Sequence, residues 1–194
     1  MQKEKKTEIT KEKLLKATEK LIAGADDPFK ITSRQIASEA GMQAAMINYC
    51  FGSREKLIYE VFQKKYKDTL KEKKIERIIT SEDLSPKEKL KKLHFIVAGF
   101  LIKEYQITKA ITNLVLFERD LSVDSFSFAY VKEHFKGKKT DAECRLIAYE
   151  LSTMMQLIIY RKDDFRDHMG IDLSKPGQLK HFIEMRIDLL LPDN

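Results

Sequence analysis

The residues whose types and spacing most clearly suggest a chemical role lie close together in one short stretch of the sequence. Gln43, Ala44 and Ala45 directly follow a glycine-containing turn, at the start of a predicted helix. A glutamine side chain can pair with adenine through both amide atoms, and an alanine methyl can contact the methyl group of thymine. Tyr49 follows about one and a half helical turns later, where its hydroxyl can contact a phosphate. The pattern indicates base and backbone contacts with DNA.

Two short helices and a turn must position these side chains. Thr32 and Gln35 have the spacing of a capping box, so a helix is expected to begin after Thr32. Gly41 ends it, since a helix end needs a residue that tolerates positive φ. The second helix is predicted over about Gln43–Cys50. This is the spacing of a helix-turn-helix motif, whose second helix enters the major groove. By spacing alone, an ordinary helical hairpin in a core fits as well.

The charge distribution favours the DNA-binding interpretation. The chain has a formal net charge of +6. Residues 1–75 contain 17 Lys and Arg against 11 Asp and Glu, and residues 76–194 contain 19 of each. The whole excess of positive charge therefore lies in the N-terminal part, as expected of a unit that meets a polyanion. Chance scatter of solvated lysines is the alternative explanation.

The rest of the sequence predicts an all-α fold of about nine helices and no convincing strand. Glycine and proline number only 7 and 4, so helix breakers are scarce. Apolar stripes and caps place the helices over about 11–23 (with Thr10 as cap), 33–40, 43–50, 54–79, from 86, around 111–117, 125–135, 141–160 and 176–191. Ser85-Pro86-Lys87-Glu88 and Thr140-Asp141-Ala142-Glu143 are the strongest start signals.

The sequence contains no pattern typical of several classes of protein. The two cysteines, Cys50 and Cys144, are too few for a disulfide framework or a cysteine-only zinc site. The longest uncharged stretch, residues 40–53, has 14 residues, and a membrane span needs about 20. No Ser/His/Asp set, glycine-rich phosphate loop or carboxylate–histidine metal pattern occurs. We therefore expect a cytoplasmic protein that is not an enzyme, with no cofactor, no bound metal and no membrane partner.

At residue level, the stretch Ile31–Leu57 strongly resembles the DNA-binding head of the TetR family of transcriptional regulators. The run from Ala45 to Leu57 is the most specific part: a small residue, an aliphatic, Asn-Tyr, an aromatic, Gly-Ser, a basic residue and Glu. The resemblance is sharp over about residues 9–67, and beyond that only the number, length and order of helices match.

The resemblance implies a role for each matching position. Thr32, Ser33 and Tyr49 would contact phosphate, and Arg34 a base or a phosphate. Arg54, at the start of the fourth helix, would clamp the DNA backbone, helped by the positive end of the helix dipole. The residues implied to face the major groove are Gln43, Ala44, Ala45 and Asn48.

The head departs from the family pattern at two places. Cys50 stands where the family usually has His or Tyr, so a phosphate contact is in doubt there. The connection Gly24–Lys30 contains Asp-Asp-Pro where the family usually has Gly followed by an aromatic. We expect Phe29 to replace that aromatic, with its side chain buried in the core.

The resemblance also implies a homodimer and an effector. The last two helices would pair with those of a second copy, and the apolar stripes over Asp141–Tyr160 and Leu179–Leu190 agree with this. Packing within one chain is the alternative. The middle helices would enclose a small-molecule pocket, although plain core packing is the favoured explanation for each candidate taken by itself. The candidate lining residues are Tyr66, His94, Phe95, Asn113, Phe117, Tyr149 and Met155.

The sequence thus predicts a DNA-binding domain over residues 8–67, with its motif at about 31–50, and an effector-binding and dimerisation domain over 68–194. We expect a ligand-responsive repressor that binds a palindromic operator as a dimer. An all-α small-molecule-binding protein or enzyme without a DNA role, and a sequence-independent architectural DNA binder, are the alternatives.

Overall fold

The computed structural model describes residues 2–193, with side chains from Thr7 onward. Within these residues the chain is all-α, as predicted, with no strand. The helices are α1 (Gln2–Ala23), α2 (Ser33–Glu39), α3 (Ala45–Phe51), α4 (Arg54–Leu70), α5 (Lys73–Thr80), α6 (Pro86–Lys103), α7 (Tyr105–Phe117), α8 (Ser127–Phe135), α9 (Asp141–Tyr160), α10 (Lys162–Met169) and α11 (Pro176–Leu190). A short 3-10 turn, Pro28–Lys30, precedes α2.

The expected capping boxes are confirmed. At α2, the Thr32 amide donates to Gln35 Oε1 at 2.8 Å and the Gln35 amide donates to Thr32 Oγ1 at 3.3 Å. Thr140 and Glu143 bond in the same reciprocal way at the start of α9. Ser85 and Glu88 do so at the start of α6. Each box satisfies two backbone donors that a helix end leaves without a partner, so these starts follow from local sequence.

Eleven helices replace the predicted nine over the described residues. The predicted fourth helix, over about 54–79, is two, because Glu72 adopts an extended conformation with ψ 132° and α5 begins after it. This break lets Ile75 and Ile78 pack against Leu93. Helix α10 was not predicted because it buries no residue, and so has no apolar stripe to reveal it.

Helix α1 is also longer than predicted. It begins at Gln2 instead of near Lys11, so Thr10 lies inside the helix and does not cap it. The added segment contains glutamine, lysine and glutamate but neither glycine nor proline, so its intrinsic propensity permits a helix without an apolar stripe.

The contacts divide the chain into two compact units. The first comprises Met1–Thr69 and Glu104–Leu114. In it α1 packs against α2 and α3, and the core contains Leu14, Ile36, Ile47 and Leu57, all at 0% exposure. Lys65 Nζ lies 2.8 Å from Glu19 Oε1 and 3.2 Å from Glu104 Oε2, so one lysine joins α4 to α1 and to the residue that precedes α7.

The second unit comprises Leu70–Lys103 and Val115–Asn194. Helix α6 is its centre and packs against α5, α8, α9 and α11. Its core is aliphatic, with Leu90, Val131, Ile159 and Ile187 almost fully buried. The assignment of a DNA-binding role to the first unit and of an effector role to the second stays a prediction.

Candidate nucleic-acid interface

The turn between α2 and α3 is fixed by a glycine in the left-handed region. Gly41 has φ +66°, a conformation that costs an L side chain free energy. The Met42 amide donates to the Ala37 carbonyl at 2.8 Å and the Gly41 amide to the Ser38 carbonyl at 3.0 Å. These bonds satisfy carbonyl groups at the end of α2 and set the direction in which the chain enters α3.

Helix α3 has one buried and one exposed face. Ile47 is fully buried and anchors the helix in the core of the first unit. Ala45, Asn48 and Tyr49 are exposed at a spacing of three and four residues, so they share the opposite face. Tyr49 has 65% of its surface exposed. Gln43 is exposed just before the helix, whereas Ala44 is half-buried.

Helix α3 begins two residues later than predicted. Its first helical residue is Ala45 instead of Gln43. The Met46 amide donates to the Gln43 carbonyl at 3.0 Å, so Gln43 belongs to the tight turn that leads into the helix. The Gln43 side chain therefore stands at the N-terminal end of α3, the end that meets base edges in a helix-turn-helix motif.

The start of α2 presents a second group of predicted contacts. Thr32 and Arg34 are exposed and Ser33 is half-buried. The Thr32 hydroxyl lies 2.9 Å from Gln35 Oε1 as a donor and also accepts from the Gln35 amide. The capping box thus occupies the Thr32 hydroxyl, while Arg34 has no carboxylate within 4.0 Å among the described residues.

The surface around α2 and α3 carries little negative charge. Between residues 28 and 53 the only acidic side chain is Glu39, and the basic ones are Lys30 and Arg34. Lys20 Nζ lies 2.6 Å from Glu39 Oε1 and so neutralises it while joining α1 to α2. The exposed face of α3 has no carboxylate to repel a phosphate backbone.

Arg54 has a structural role that sequence reasoning missed. Its Nη1 donates to the Phe29 carbonyl at 3.1 Å and to the Ile31 carbonyl, and its Nε donates to Glu55 Oε1 at 2.9 Å. Nη2 lies 2.9 Å from the same Glu55 oxygen. Most of its five donors are therefore used within the protein, and its phosphate contact stays a prediction. No local sequence pattern predicts these contacts, because the two carbonyl groups lie more than twenty positions earlier in the chain.

The two departures from the family pattern have structural consequences. The Phe29 side chain is not buried in the core, since 38% of its surface is exposed and Pro28 is buried instead. Asp27 stabilises this arrangement, because its side chain accepts a hydrogen bond of 3.1 Å from the Phe29 amide and so caps the 3-10 turn. Cys50 is half-buried, and burial raises the pKa of its thiol although Lys11 lowers it in part. A protonated, half-buried thiol adds no charge to this surface.

The structure does not gather the seven predicted effector-pocket residues around one of the cavities it forms. Tyr66 and Asn113 belong to the first unit; Tyr66 stacks on Phe62, with ring centroids 5.7 Å apart. Phe117 has 79% of its surface exposed. Tyr149 lines a pocket beside Arg145, and Phe95 lines a cleft formed by α5, α6 and α11. A common pocket for all seven residues stays a prediction.

His94 and Met155 do line the same cavity, but it is small. Its volume is about 10 Å³, which is room for about one water molecule. His94 Nε2 lies 2.8 Å from Ser127 Oγ, and the imidazole lies 5.1 Å from the Phe126 ring. Burial lowers the pKa of His94 to about 4, so the ring is neutral at pH 7. His94 is thus a hydrogen-bonded core histidine in this structure.

Helices α9 and α11 expose large apolar side chains on one face of the second unit. Leu146 and Leu157 are exposed on α9, and Met185 and Leu189 on α11, the last with 72% of its surface accessible. Arg186 Nη2 lies 3.4 Å from Glu150 Oε1 and joins the two helices. Since Glu150 lies one turn from Leu146, and Arg186 lies beside Met185 and Leu189, the ion pair lies among these apolar side chains.

Comparison with known proteins adds no relative: no protein-family model matches this chain, and no curated protein is similar enough to match it. No helix in the described part of the chain is long and apolar enough to cross a membrane. Among the same residues, no group of three or more His, Cys, Asp and Glu side chains has an arrangement suited to a metal ion.

Proposed function

We propose that this protein is a sequence-specific DNA-binding transcriptional regulator that acts as a homodimer in the cytoplasm. The observation that carries the proposal is the exposed face of α3. Tyr49, with 65% of its surface exposed, lies there beside Asn48 and Ala45. A large aromatic side chain held in water on a rigid helix suits contact with a partner surface, and the absence of carboxylates suits DNA.

The rigid placement of α3 supports the proposal further. Ile47 fixes the rotation of α3, Gly41 fixes its approach, and Lys20–Glu39 holds the preceding helix. A recognition element needs such rigidity because base readout depends on hydrogen bonds of defined geometry. Gln43 would read a base edge, Arg34 a base or phosphate, and Tyr49 a phosphate.

Dimerisation would come from α9 and α11. Exposed leucine and methionine side chains on both helices provide apolar surface that a second copy would bury. A two-fold dimer would present two α3 helices to the two halves of a palindromic operator. A small-molecule effector would then regulate operator affinity, and a coupling free energy of about 1–3 kcal/mol would change that affinity about 5–150-fold.

The direct test is selection of duplex DNA from a randomised pool by the full chain, followed by gel-shift measurement on the selected sequences. We expect an inverted repeat to be enriched and bound at least a thousandfold more tightly than shuffled DNA, a typical specificity ratio being about 10³ or more. Gln43→Ala should relax the preference at one position of each half-site.

Lys138→Ala provides a control, since this lysine is exposed and lies in the second unit. It should leave both affinity and sequence preference unchanged. Equal affinity for selected and shuffled DNA would instead support a sequence-independent architectural role, and no DNA binding at moderate salt would overturn the proposal.

A further inference from the structure

A cleft in the second unit has the dimensions of a small-molecule site. Helices α5, α6 and α11 enclose it, and its volume is about 780 Å³. Ligand-binding pockets usually have volumes of about 300–1,000 Å³. Apart from Phe95, no residue of the predicted effector pocket lines this cleft.

Helix α5 forms one wall of the cleft, with one face buried against α6 and the neighbouring face exposed to the cleft. Ile75 and Ile78 are buried, pack with Leu93 and fix the helix on α6. Lys74 and Arg77, three residues apart, therefore lie together on the neighbouring face and line the cleft. The anchoring isoleucines make the position of these two cations a property of the fold.

Apolar side chains line another part of the cleft. Phe95 and Ile96 of α6 and Ile183 of α11 line it together with Ile78. Phe95 and Ile96 are only half-buried although they lie on the central helix of the unit. A ligand that covered them would remove apolar surface from water, which is favourable in proportion to the area covered.

The charges of the cleft favour an anion. Five basic and three acidic side chains line it. Lys91 is paired with Asp188 at 2.7 Å, and Lys180 with Glu184 at 3.7 Å. Lys92 has Glu88 nearby as a partial counter-charge.

Lys74 and Arg77, by contrast, are exposed and have no carboxylate within 4.0 Å in the part of the chain that the structure describes. Two of the lining carboxylates, Asp83 and Glu88, likewise have no cation within 4.0 Å among the same residues, and Glu88 accepts hydrogen bonds from Ser85. The α5 wall therefore offers two unneutralised donors to an anionic group.

We propose that this cleft binds a small amphipathic carboxylate, with its apolar chain on Phe95, Ile96 and Ile183 and its head group at Lys74 and Arg77. The guanidinium of Arg77 can accept a carboxylate through two parallel hydrogen bonds, and the ammonium of Lys74 adds a point charge. This inference does not require DNA binding, so it stands or fails separately from the regulator function.

Calorimetric titration of the full chain with straight-chain probes below their micellar concentrations tests both parts of the ligand. Dodecanoate should bind with one site per chain. Octanoate should bind at least tenfold more weakly, since each buried methylene contributes up to about fourfold in affinity. Undecyltrimethylammonium, whose alkyl chain has the same number of carbons as that of dodecanoate and whose charge is opposite, should also bind at least tenfold more weakly than dodecanoate.

Variants locate the site. Lys74→Glu combined with Arg77→Glu should weaken dodecanoate binding at least tenfold, and both side chains are exposed, so the fold should tolerate the change. Lys136→Glu combined with Lys138→Glu reverses two equally exposed charges outside the cleft and should leave the dissociation constant within twofold. Because the chain contains no tryptophan, Phe95→Trp places a single fluorescent reporter in the cleft, and its emission should shift to shorter wavelength on binding.

Three results would each overturn the proposal: equal affinity for the cationic and anionic probes, undiminished binding by the Lys74/Arg77 variant, or no saturable binding of dodecanoate. Unchanged far-ultraviolet circular dichroism at the highest probe concentration serves to distinguish binding from detergent-like unfolding. If the double charge reversal unfolds the protein, Lys74→Gln and Arg77→Gln, measured singly, should each weaken binding at least threefold, and unchanged affinity in both would also overturn it.

Discussion

The guanidinium of Arg54, at the start of α4, donates a hydrogen bond of 3.1 Å to the carbonyl of Phe29, before the start of α2. A second bond from the same nitrogen reaches the Ile31 carbonyl. One side chain therefore connects the two ends of the segment that contains α2, the turn and α3. This relationship means that a loss of DNA binding on substitution of Arg54 has two possible causes, which stability measurements separate.

Arg54→Ala should destabilise the protein by about 2 kcal/mol, because hydrogen bonds to charged groups contribute about 1.5–3 kcal/mol and the carbonyl groups of Phe29 and Ile31 would lose their donor. Urea unfolding followed by circular dichroism measures the free energy of unfolding. Arg34→Ala removes the same side chain from an exposed position and should change that free energy by no more than about 0.5 kcal/mol. Equal stability of the two variants would contradict the structural role of Arg54.

Arg34→Ala and Tyr49→Ala should weaken operator binding while leaving the fold intact, since both side chains are exposed. Each lost phosphate contact from a cation should make the slope of log affinity against log salt shallower by about 1, because fewer counterions are released. We therefore expect the slope to change for Arg34→Ala but not for Tyr49→Ala, whose hydroxyl is uncharged. Gel shifts at several salt concentrations measure both slopes, and an unchanged slope for Arg34→Ala would assign Arg34 to base contacts alone.

The buried His94 should make stability fall in mild acid. Its pKa is about 4 in the folded protein and 6.5 when exposed, so the unfolded chain binds more protons between these values. The contribution is present above pH 6.5 and is lost as the pH falls to about 4, and its full size is about 3 kcal/mol. His94→Gln should show a smaller decrease in free energy of unfolding between pH 7 and pH 4.5. His181→Gln, at an exposed position, should retain the decrease of the parent protein.

Lys87 should contribute to stability far more than its partner Asp193. Lys87 has 9% of its side chain exposed and lies 2.7 Å from Asp188 and 2.8 Å from Asp193, whose side chain is 89% exposed. Lys87→Ala should cost about 2 kcal/mol, since it removes a well-packed stem and leaves Asp188 with Lys91 alone. Asp193→Asn should cost less than about 0.5 kcal/mol because exposed ion pairs contribute little. Chemical unfolding of both variants checks this order, and the reverse order would contradict it.

The oligomeric state should depend on the exposed apolar face of α9 and α11. Leu189→Glu would place a carboxylate in the proposed interface and should raise the dimer dissociation constant at least tenfold, about 1.4 kcal/mol. Size-exclusion chromatography with light scattering measures the change. Ile9→Glu, at a similarly exposed apolar position on α1, should leave the mass unchanged. A monomeric parent protein would remove the basis for binding a palindrome through this face.

Local sequence determined the parts of this protein whose stabilising groups are neighbours in the chain. The reciprocal bonds of Thr32 with Gln35 and of Thr140 with Glu143 span three residues, so the starts of α2 and α9 could be predicted. The left-handed conformation of Gly41 follows equally from its residue type. Apolar periodicity, together with the scarcity of helix breakers, was sufficient for the all-α class.

Only the tertiary structure decided features that depend on residues far apart in the sequence. The break after α4 allows Ile75 and Ile78 to pack against Leu93, which lies about 20 positions after the break, and no side-chain cap between Leu70 and Lys73 marks it in the sequence. The engagement of Arg54 with carbonyl groups more than twenty positions earlier is another example. Spacing can place Lys74 and Arg77 on one face of a helix, but whether that face borders a cleft depends on helices α6 and α11. Local hydrogen bonds are encoded by short patterns, whereas long-range packing is a property of the whole fold.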